Sequence, residues 1–419
     1  MILFYNFVTS IAPALLKLVS PFSSKVKTWL EATATWKEDI LASGIGSSKC
    51  NVWFHCASLG EYEQGKPVME ALKLEYPEVS IIVTFFSPSG YKARKNSNLA
   101  SYVGYLPMDT YENSREFVQI VSPKLAFFVK SEIWPNFINA LKAKHIPMFL
   151  LSARFYDKQT IFKKRGGLFK AQLRKFDLIF VQNKSSQVLL KKHKTDSIYS
   201  GDTRYDQVAQ LLDNKKEYPL IKKFIENRPV FLAGSCWPED VAVLKTFLKE
   251  TKSKIILAPH DVSEKMINQV ISDIGLPSIR YSTFSAETNL SGFNVLIIDC
   301  IGMLASLYDY CTVAYVGGAF KQGLHNILEP AVYGVPVVFG PQIEEFAEAG
   351  EMIKNGGAFS CNTNDEMYEC LKKLFANEIF MKEAGEANRM FTNTKKGATE
   401  IVMRNVKTVA SNLPCFSKI

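Results

Sequence analysis

The chain has 419 residues, 47% hydrophobic and 22% charged, enough for two packed domains and inconsistent with a disordered or multi-span membrane chain. Its formal charge of +9 suits an anionic membrane surface or a phosphorylated substrate. No zinc spacing, RNA-binding signature or dense basic stripe accompanies that charge, so no nucleic-acid partner is expected. The eight cysteines (Cys50, Cys56, Cys236, Cys300, Cys311, Cys361, Cys370, Cys415) form no C-x-x-C pair, which favours buried thiols in a reducing compartment over a disulfide framework. The five histidines lack metal-binding spacing, and no metal or other cofactor is expected.

The amino-terminal run from Ile2 to Leu16 carries no charge and is closed by Lys17. It is shorter than the roughly 20 apolar residues of a spanning helix, and Asn6, Thr9 and Pro13 weaken it further. No basic region precedes it, as a secretory signal would require. With Lys17, Lys25 and Lys27 following, residues 1–22 are expected to lie on a membrane with lysines toward the headgroups. A helix packed on the protein's own body would show the same pattern.

From residue 51 short apolar runs alternate with helical patterns, the signature of successive βα units. Strands are predicted at 51–56, 80–85, 101–106, 125–129, 147–151 and 178–181. After the first comes Ala57-Ser58-Leu59-Gly60-Glu61, and Val68, Met69, Ala71, Leu72 and Leu74 then recur at helical spacing. Glu61 would sit at a helix start beyond a strand's carboxyl end, where open α/β sheets bind ligands. There it could serve as a general base, or be an ordinary acidic first-turn residue. Ser87, Ser89 and Gly90 offer hydroxyls and amides to an anionic or polyhydroxyl group, or simple capping. Glu132 is a second carboxylate at a strand end, beside Trp134. The basic stretch 158–175 reads as a face for lipid phosphates or as a solvated helix face. Arg204 closes this half, either stabilising negative charge or making a structural salt bridge.

The polar segment 207–228 suits a crossover to a second domain. A second strand series follows at 229–233, 254–258, 294–298, 312–316 and 335–339, so two Rossmann-like domains facing each other across a cleft are expected. Neither G-x-G-x-x-G nor a Walker A loop is present, which disfavours dinucleotides and ATP. Gly323-Leu324-His325-Asn326-Ile327-Leu328-Glu329-Pro330 is a glycine turn leading into a helix start. Amides near Asn326 to Leu328 could hold a phosphate there, and Glu329 could accept from vicinal ribose hydroxyls. The expected domains are 1–22 (membrane-associated), 23–210 (acceptor side) and 211–419 (nucleotide-sugar side, its last helix returning to the first domain).

Together these motifs resemble the Kdo transferases of lipopolysaccharide assembly. Those bacterial GT-B-type glycosyltransferases move 3-deoxy-D-manno-octulosonic acid (Kdo) from CMP-Kdo to a lipid A precursor. The resemblance runs from about Val52 to Gly357 through Ala57-Ser58-Leu59-Gly60-Glu61, Thr84-Phe85-Phe86-Ser87-Pro88-Ser89-Gly90, Ser131-Glu132-Ile133-Trp134-Pro135-Asn136, Ser152-Ala153-Arg154, Ala233-Gly234-Ser235, Asn326-Ile327-Leu328-Glu329-Pro330 and Phe339-Gly340-Pro341. It implies inverting, metal-independent transfer at the cytoplasmic face of the inner membrane, with Glu61 as proton acceptor and Glu132 and Arg204 stabilising the transition state. CMP would contact Pro259 and His260, the loop Ile301-Gly302-Met303, and Asn326, Ile327, Leu328 and Glu329. Three departures stand out: His260 where many members have arginine, Met303 where they have an acidic residue, and Phe22-Ser23-Ser24-Lys25-Val26-Lys27 in place of an arginine-rich segment. A UDP-sugar-dependent glycosyltransferase or epimerase, or a two-domain binding protein without chemistry, would share the architecture.

Overall fold

In the computed structural model residues 1–416 are described. The side chains of Ser24 and Lys25, and the 417–419 end of the second expected domain, lie outside the described residues. The chain divides into two compact units, Met1–Gln207 with the segment from Lys396 onward, and Val208–Lys395.

The first unit is built on β1 (Asn51–Cys56), β2 (Ser80–Phe85), β3 (Tyr102–Tyr105), β4 (Pro123–Val129), β5 (Met148–Ala153), β6 (Leu178–Val181) and β7 (Ile198–Tyr199). All pair in parallel, in the order β3-β2-β1-β4-β5-β6-β7. A parallel sheet is covered on both faces, which is why β1 is buried at every position and apolar from Val52 to Phe54. Trp53 packs on one face with Phe117, Phe128 and Phe137. Phe54 packs on the other, stacked on Phe127 at 4.5 Å, with Phe127 on Phe149 at 4.9 Å. Each such buried ring is worth about 2–3 kcal/mol of transfer free energy.

The final helix, Ala398–Ala410, covers that second face through Val402, Met403 and Val406. Its start is fixed by Asp206, whose two oxygens accept from the backbone of Gly397 and Thr399 at 2.6 Å each. The last helix therefore completes the first unit's core.

The amino-terminal helix Ile2–Val19 runs past Lys17 into a 3₁₀ turn at Ser20–Phe22. These 21 residues contain an 18-residue window of mean hydropathy 1.7, and the segment is long and apolar enough to cross a membrane by length and composition. The expectation that the segment is too short is corrected here. Lys17 sits in the helix's last turn, where the macrodipole favours a cation, so it does not end the helix. One face packs on the unit: Thr9 is buried, and the Tyr5 ring meets Phe169 edge-on at 6.2 Å. Leu3, Phe4, Phe7, Leu15 and Leu18 on the remaining surface are each more than half exposed.

The Tyr5 hydroxyl donates to Asp109 at 2.7 Å, and Asp109 also accepts from the backbone N–H of Asn136 and Phe137 at 3.1 and 3.0 Å. Asp109 thereby caps the helix Pro135–Ala143, whose own N-cap residue, Trp134, makes no side-chain capping bond.

The second unit carries β8 (Val230–Cys236), β9 (Lys254–Pro259), β10 (Ser278–Arg280), β11 (Val295–Ile297), β12 (Val313–Val316), β13 (Val337–Phe339) and β14 (Ala358–Ser360). They too are parallel, ordered β10-β11-β9-β8-β12-β13-β14. Buried Asp240 ties β8 to β12, accepting from Trp237 N–H at 2.8 Å, the Tyr315 hydroxyl at 2.6 Å and Gly318 N–H at 3.0 Å. Gly317 leaves room for this knot, because a Cβ there would lie 2.7 Å from the Asp240 carboxylate.

Replacing Asp109 by Ala leaves two helix-start amides and the Tyr5 hydroxyl without their acceptor. The expected loss is about 2–4 kcal/mol, read as a lower melting temperature by circular dichroism. Asp109→Asn, which keeps an acceptor oxygen, is expected to lose less.

Candidate active site

In each sheet one strand pair marks the point where the order reverses, β1/β4 in the first and β8/β12 in the second. Ligands of open α/β sheets bind outside the carboxyl ends of strands at such points. Glu61 follows β1 and Glu132 follows β4, so the first sheet delivers both carboxylates to its reversal point.

Glu61 lies in the first turn of the helix Leu59–Glu75 and is only 7% exposed. One carboxylate oxygen accepts from the backbone N–H of Ala57 and Ser58. Burial, then the negative charge of Glu132, push its pKa up from 4.5 to about 7, against opposition from Lys130 and the two amides. Near neutrality such a carboxyl can take up a proton and release it.

Glu132 is treated differently by its surroundings. Burial again works to raise its pKa, but the His55 ring, the Trp134 indole and Lys130 outweigh it, so the carboxyl is held below its usual value. Trp134 Nε1 donates to Glu132 Oε2 at 2.8 Å, and His55 Nε2 lies 3.5 Å from the same oxygen. The pair is thus split into an ionised Glu132 and a Glu61 that titrates near pH 7.

Lys130, directly after β4, adopts a left-handed backbone with φ of 70°. A non-glycine residue pays about 1–3 kcal/mol for that conformation, which concentrates at functional sites. Its charge acts on both carboxylates. Neither Lys130 nor His55 stands out by sequence pattern, since His55 sits mid-strand and Lys130 reads as an ordinary loop residue. The signal within reach was their proximity to the two acidic motifs.

Arg204 is held on Asp202, which accepts from Nε at 3.0 Å, from Nη2 at 2.7 Å and from the backbone N–H at 3.0 Å. The salt-bridge alternative for Arg204 is therefore the geometry found. Ser87 and Ser89 lie within hydrogen-bond distance of each other at 2.8 Å, at the start of the helix Pro88–Arg94. Preceding them, Phe86 bridges Trp29 and Trp134, 5.4 Å from each.

In the second unit Pro259 is the buried last residue of β9, and His260 stands just beyond it. The His260 ring stacks at 4.6 Å on both Trp237 and His325, 24° and 25° from parallel. Trp237 Nε1 donates to His325 Nε2 at 3.3 Å, so those two rings lie edge to edge with His260 across them. Burial, then the neighbouring His260, lower the His325 pKa to about 4, and burial lowers that of His260. These rings are neutral at pH 7. Neither Trp237 nor His325 was singled out by sequence.

His325 leads into Asn326, whose side-chain oxygen accepts from Leu328 N–H at 3.1 Å and whose amide donates to Glu329 at 3.0 Å. Ile327 and Leu328 are buried, and the Leu328 N–H is taken by the Asn326 side chain, so of the amides expected to hold a phosphate that of Leu328 is already occupied. On the loop after β11, Ile301 is 87% exposed, Gly302 has φ of 94°, and Met303 packs its sulfur 3.2 Å from that of Cys300. Among the described residues no three His, Cys, Asp or Glu side chains are grouped to hold a metal ion.

Two parallel seven-stranded sheets, each with helices on its faces, define an α/β protein of the GT-B glycosyltransferase fold. Solved structures agree on that fold: MurG from Acinetobacter baumannii (TM-score 0.54, 12% identity, 86% of this chain and 100% of that one) and UDP-GlcNAc 2-epimerase from Neisseria meningitidis bound to UDP-GlcNAc (TM-score 0.61, 12% identity, 85% and 100%). Residues 29–207, within the first unit, match the family model 3-Deoxy-D-manno-octulosonic-acid transferase (kdotransferase). The 3-deoxy-D-manno-octulosonic acid transferase of Chlamydophila psittaci is 29% identical over 375 residues, 87% of this chain and 85% of that protein. A bifunctional glycosyltransferase/methyltransferase of Fusobacterium nucleatum is 25% identical over 98% of this chain, which spans 65% of that protein's length.

Because folding raises the Glu61 pKa, the folded state resists ionising a group that the unfolded chain ionises at its ordinary value. The folded protein is therefore penalised progressively as pH rises from 4.5 to 7. Glu61→Gln, which keeps an acceptor for the Ala57 and Ser58 amides, is expected to melt higher than the parent at pH 8, by at most about 3 kcal/mol. At pH 4.5 the two should melt together. Thermal unfolding at the two pH values checks this.

Proposed function

We propose that the protein transfers Kdo from CMP-Kdo to a sugar hydroxyl of a lipid A precursor, in one inverting step that needs no metal ion. The observation that carries this reading is the unequal carboxylate pair at the first sheet's reversal point. The acceptor hydroxyl attacks the anomeric carbon, the new C–O bond forms as the bond to the cytidylate phosphate breaks, and Glu61 takes the hydroxyl proton. Ionised Glu132 and Lys130 set the field in which this occurs. CMP is assigned to the second unit: Pro259 and His260, the Ile301–Met303 loop, and the Asn326 amide region with Glu329. Where the resemblance has an arginine, this reading uses the neutral ring of His260 against the base.

The same reading places the protein at the cytoplasmic face of a bacterial inner membrane. Support comes from the uncovered apolar face of the helix Ile2–Val19. The Met1 end of that helix lies beside Gly167, close to the exposed Lys163, Lys164 and Arg165. Apolar side chains next to basic ones are what an anionic lipid surface recognises.

Purified protein incubated with CMP-Kdo and a lipid A precursor should yield a product heavier by Kdo, read by mass spectrometry. Glu61→Gln should lower turnover by about 10²–10⁴-fold while CMP still raises its melting temperature. Stabilisation by UDP and not CMP would overturn the donor assignment. Phe4→Asp combined with Phe7→Asp should reduce co-sedimentation with phosphatidylglycerol vesicles, and unchanged sedimentation would remove the membrane assignment.

A further inference from the structure

The buried wall behind the carboxylate pair contains a chain of polar groups that the proposed chemistry does not use. Trp53, His55 and Thr84 are all fully buried on β1 and β2, where burying a polar group costs free energy unless it is hydrogen-bonded. Trp53 Nε1 donates to Thr84 Oγ1 at 2.8 Å, and Thr84 Oγ1 lies 3.0 Å from His55 Nδ1. The other ring nitrogen, Nε2, faces Glu132 Oε2 at 3.5 Å.

The proton count follows from the partners. An indole N–H can only donate, so Thr84 receives the Trp53 proton and has its single hydroxyl hydrogen left to give. A lone pair on Nε2 facing a carboxylate oxygen out of water would be repelled, so Nε2 carries the ring proton. Nδ1 is then the acceptor of the Thr84 hydroxyl, so the series runs in one direction, Trp53 to Thr84 and Thr84 to His55, and it leaves the buried Nε2–H, which makes no hydrogen bond of its own, in charge contact with Glu132 Oε2 at 3.5 Å. The His55 and Trp134 rings meet edge to face, 5.5 Å apart and 87° from parallel, and their N–H groups converge on the same Glu132 oxygen.

We propose that His55 is a positioning residue, which through its Nε2–H holds Glu132 turned toward the two ring donors and ionised beside Glu61, with Trp53 and Thr84 fixing the tautomer that allows this. The inference rests on the proposed roles of Glu61 and Glu132 and adds the reason why Glu61, and not its neighbour, takes the proton. The charged and titratable groups facing the pair are Lys130 from the loop after β4 and the Cys56 thiol from β1, the latter kept neutral by burial. Neither contacts His55 in the series above, so removing the imidazole leaves both in place.

The test is the pH profile of Kdo transfer by the full chain in three variants: His55→Phe, His55→Gln and Thr84→Val. Without the imidazole donor, Glu132 competes with Glu61 for the proton, and the singly protonated, inactive pair persists to higher pH. In His55→Phe the acid limb of kcat should move upward by about one pH unit, a tenfold loss below the limb, with KM for CMP-Kdo unchanged. His55→Gln, which can still present an N–H where Nε2 stood, should recover most of that shift. Thr84→Val should show a smaller shift in the same direction. A lower kcat at every pH with the limb unmoved in His55→Gln and Thr84→Val would mean that His55 only fills space, and overturns the inference. Should His55→Phe fail to fold, those two variants decide. Failure of the parent chain to transfer Kdo sinks the functional reading itself, whereas an active parent with unmoved limbs sinks only the role of His55.

Discussion

Two carboxylates brought side by side out of water cannot both stay ionised on equal terms, and the first unit depends on how that conflict is resolved. The sheet order forces the encounter, because β1 and β4 are neighbours whose chains leave in opposite directions at their carboxyl ends. What differs is the company each residue keeps. Glu61 receives backbone amides alone, while Glu132 receives an indole and an imidazole nitrogen. Ring donors anchored in a core cannot rotate away, so the asymmetry belongs to the packing around Trp53, Phe128 and Trp134 as much as to the carboxylates.

The second unit solves a different problem with aromatic surface. His260 occupies the end of β9, a position from which a cation could reach a phosphate. Its ring instead lies across Trp237 and His325, which are joined by a hydrogen bond, with a pKa depressed by burial. A neutral stacked ring offers a flat face and no charge, so electrostatic grip on an anion must come from backbone amides and neighbouring loops. The Gly317-Gly318 turn and Asp240, which accepts from both Trp237 and Gly318, keep this ring pair tied to the reversal point.

The alternation of strands and helices was legible because burial on both sheet faces leaves unbroken apolar runs, and eleven strands lie where such runs were read. β7, β10 and β14 were not, being only two or three residues long with partly exposed side chains, so no periodicity distinguishes them from loops. Among site residues, Glu61 and Glu132 were legible as acids following strands. His55 was hidden because a histidine inside a buried strand looks like core, and its meaning comes only from the strand order that lays it beside β4. Arg204 shows the converse: of its two readings, charge stabilisation or a structural salt bridge, the second is met by a partner, Asp202, that stands only two residues away. Distances across the sheet, and between near neighbours on a turn, are what a linear pattern does not contain.

The amino-terminal segment also gains meaning from a contact no pattern could show. Its Tyr5 hydroxyl ends on Asp109, and Asp109 caps the helix that begins immediately after the Glu132-Ile133-Trp134 loop. A second line runs from Trp29 through Phe86 to Trp134, whose indole donates to Glu132. An apolar helix resting on its domain by surface contact alone could swing on its following turns. One bonded to the cap of a site helix and followed by a ring chain into the same loop shares that loop's frame of reference. The orientation of the uncovered Phe4 and Phe7 face is therefore set by the residues that set Glu132, and the first unit presents its apolar face and its carboxylates in a fixed mutual geometry.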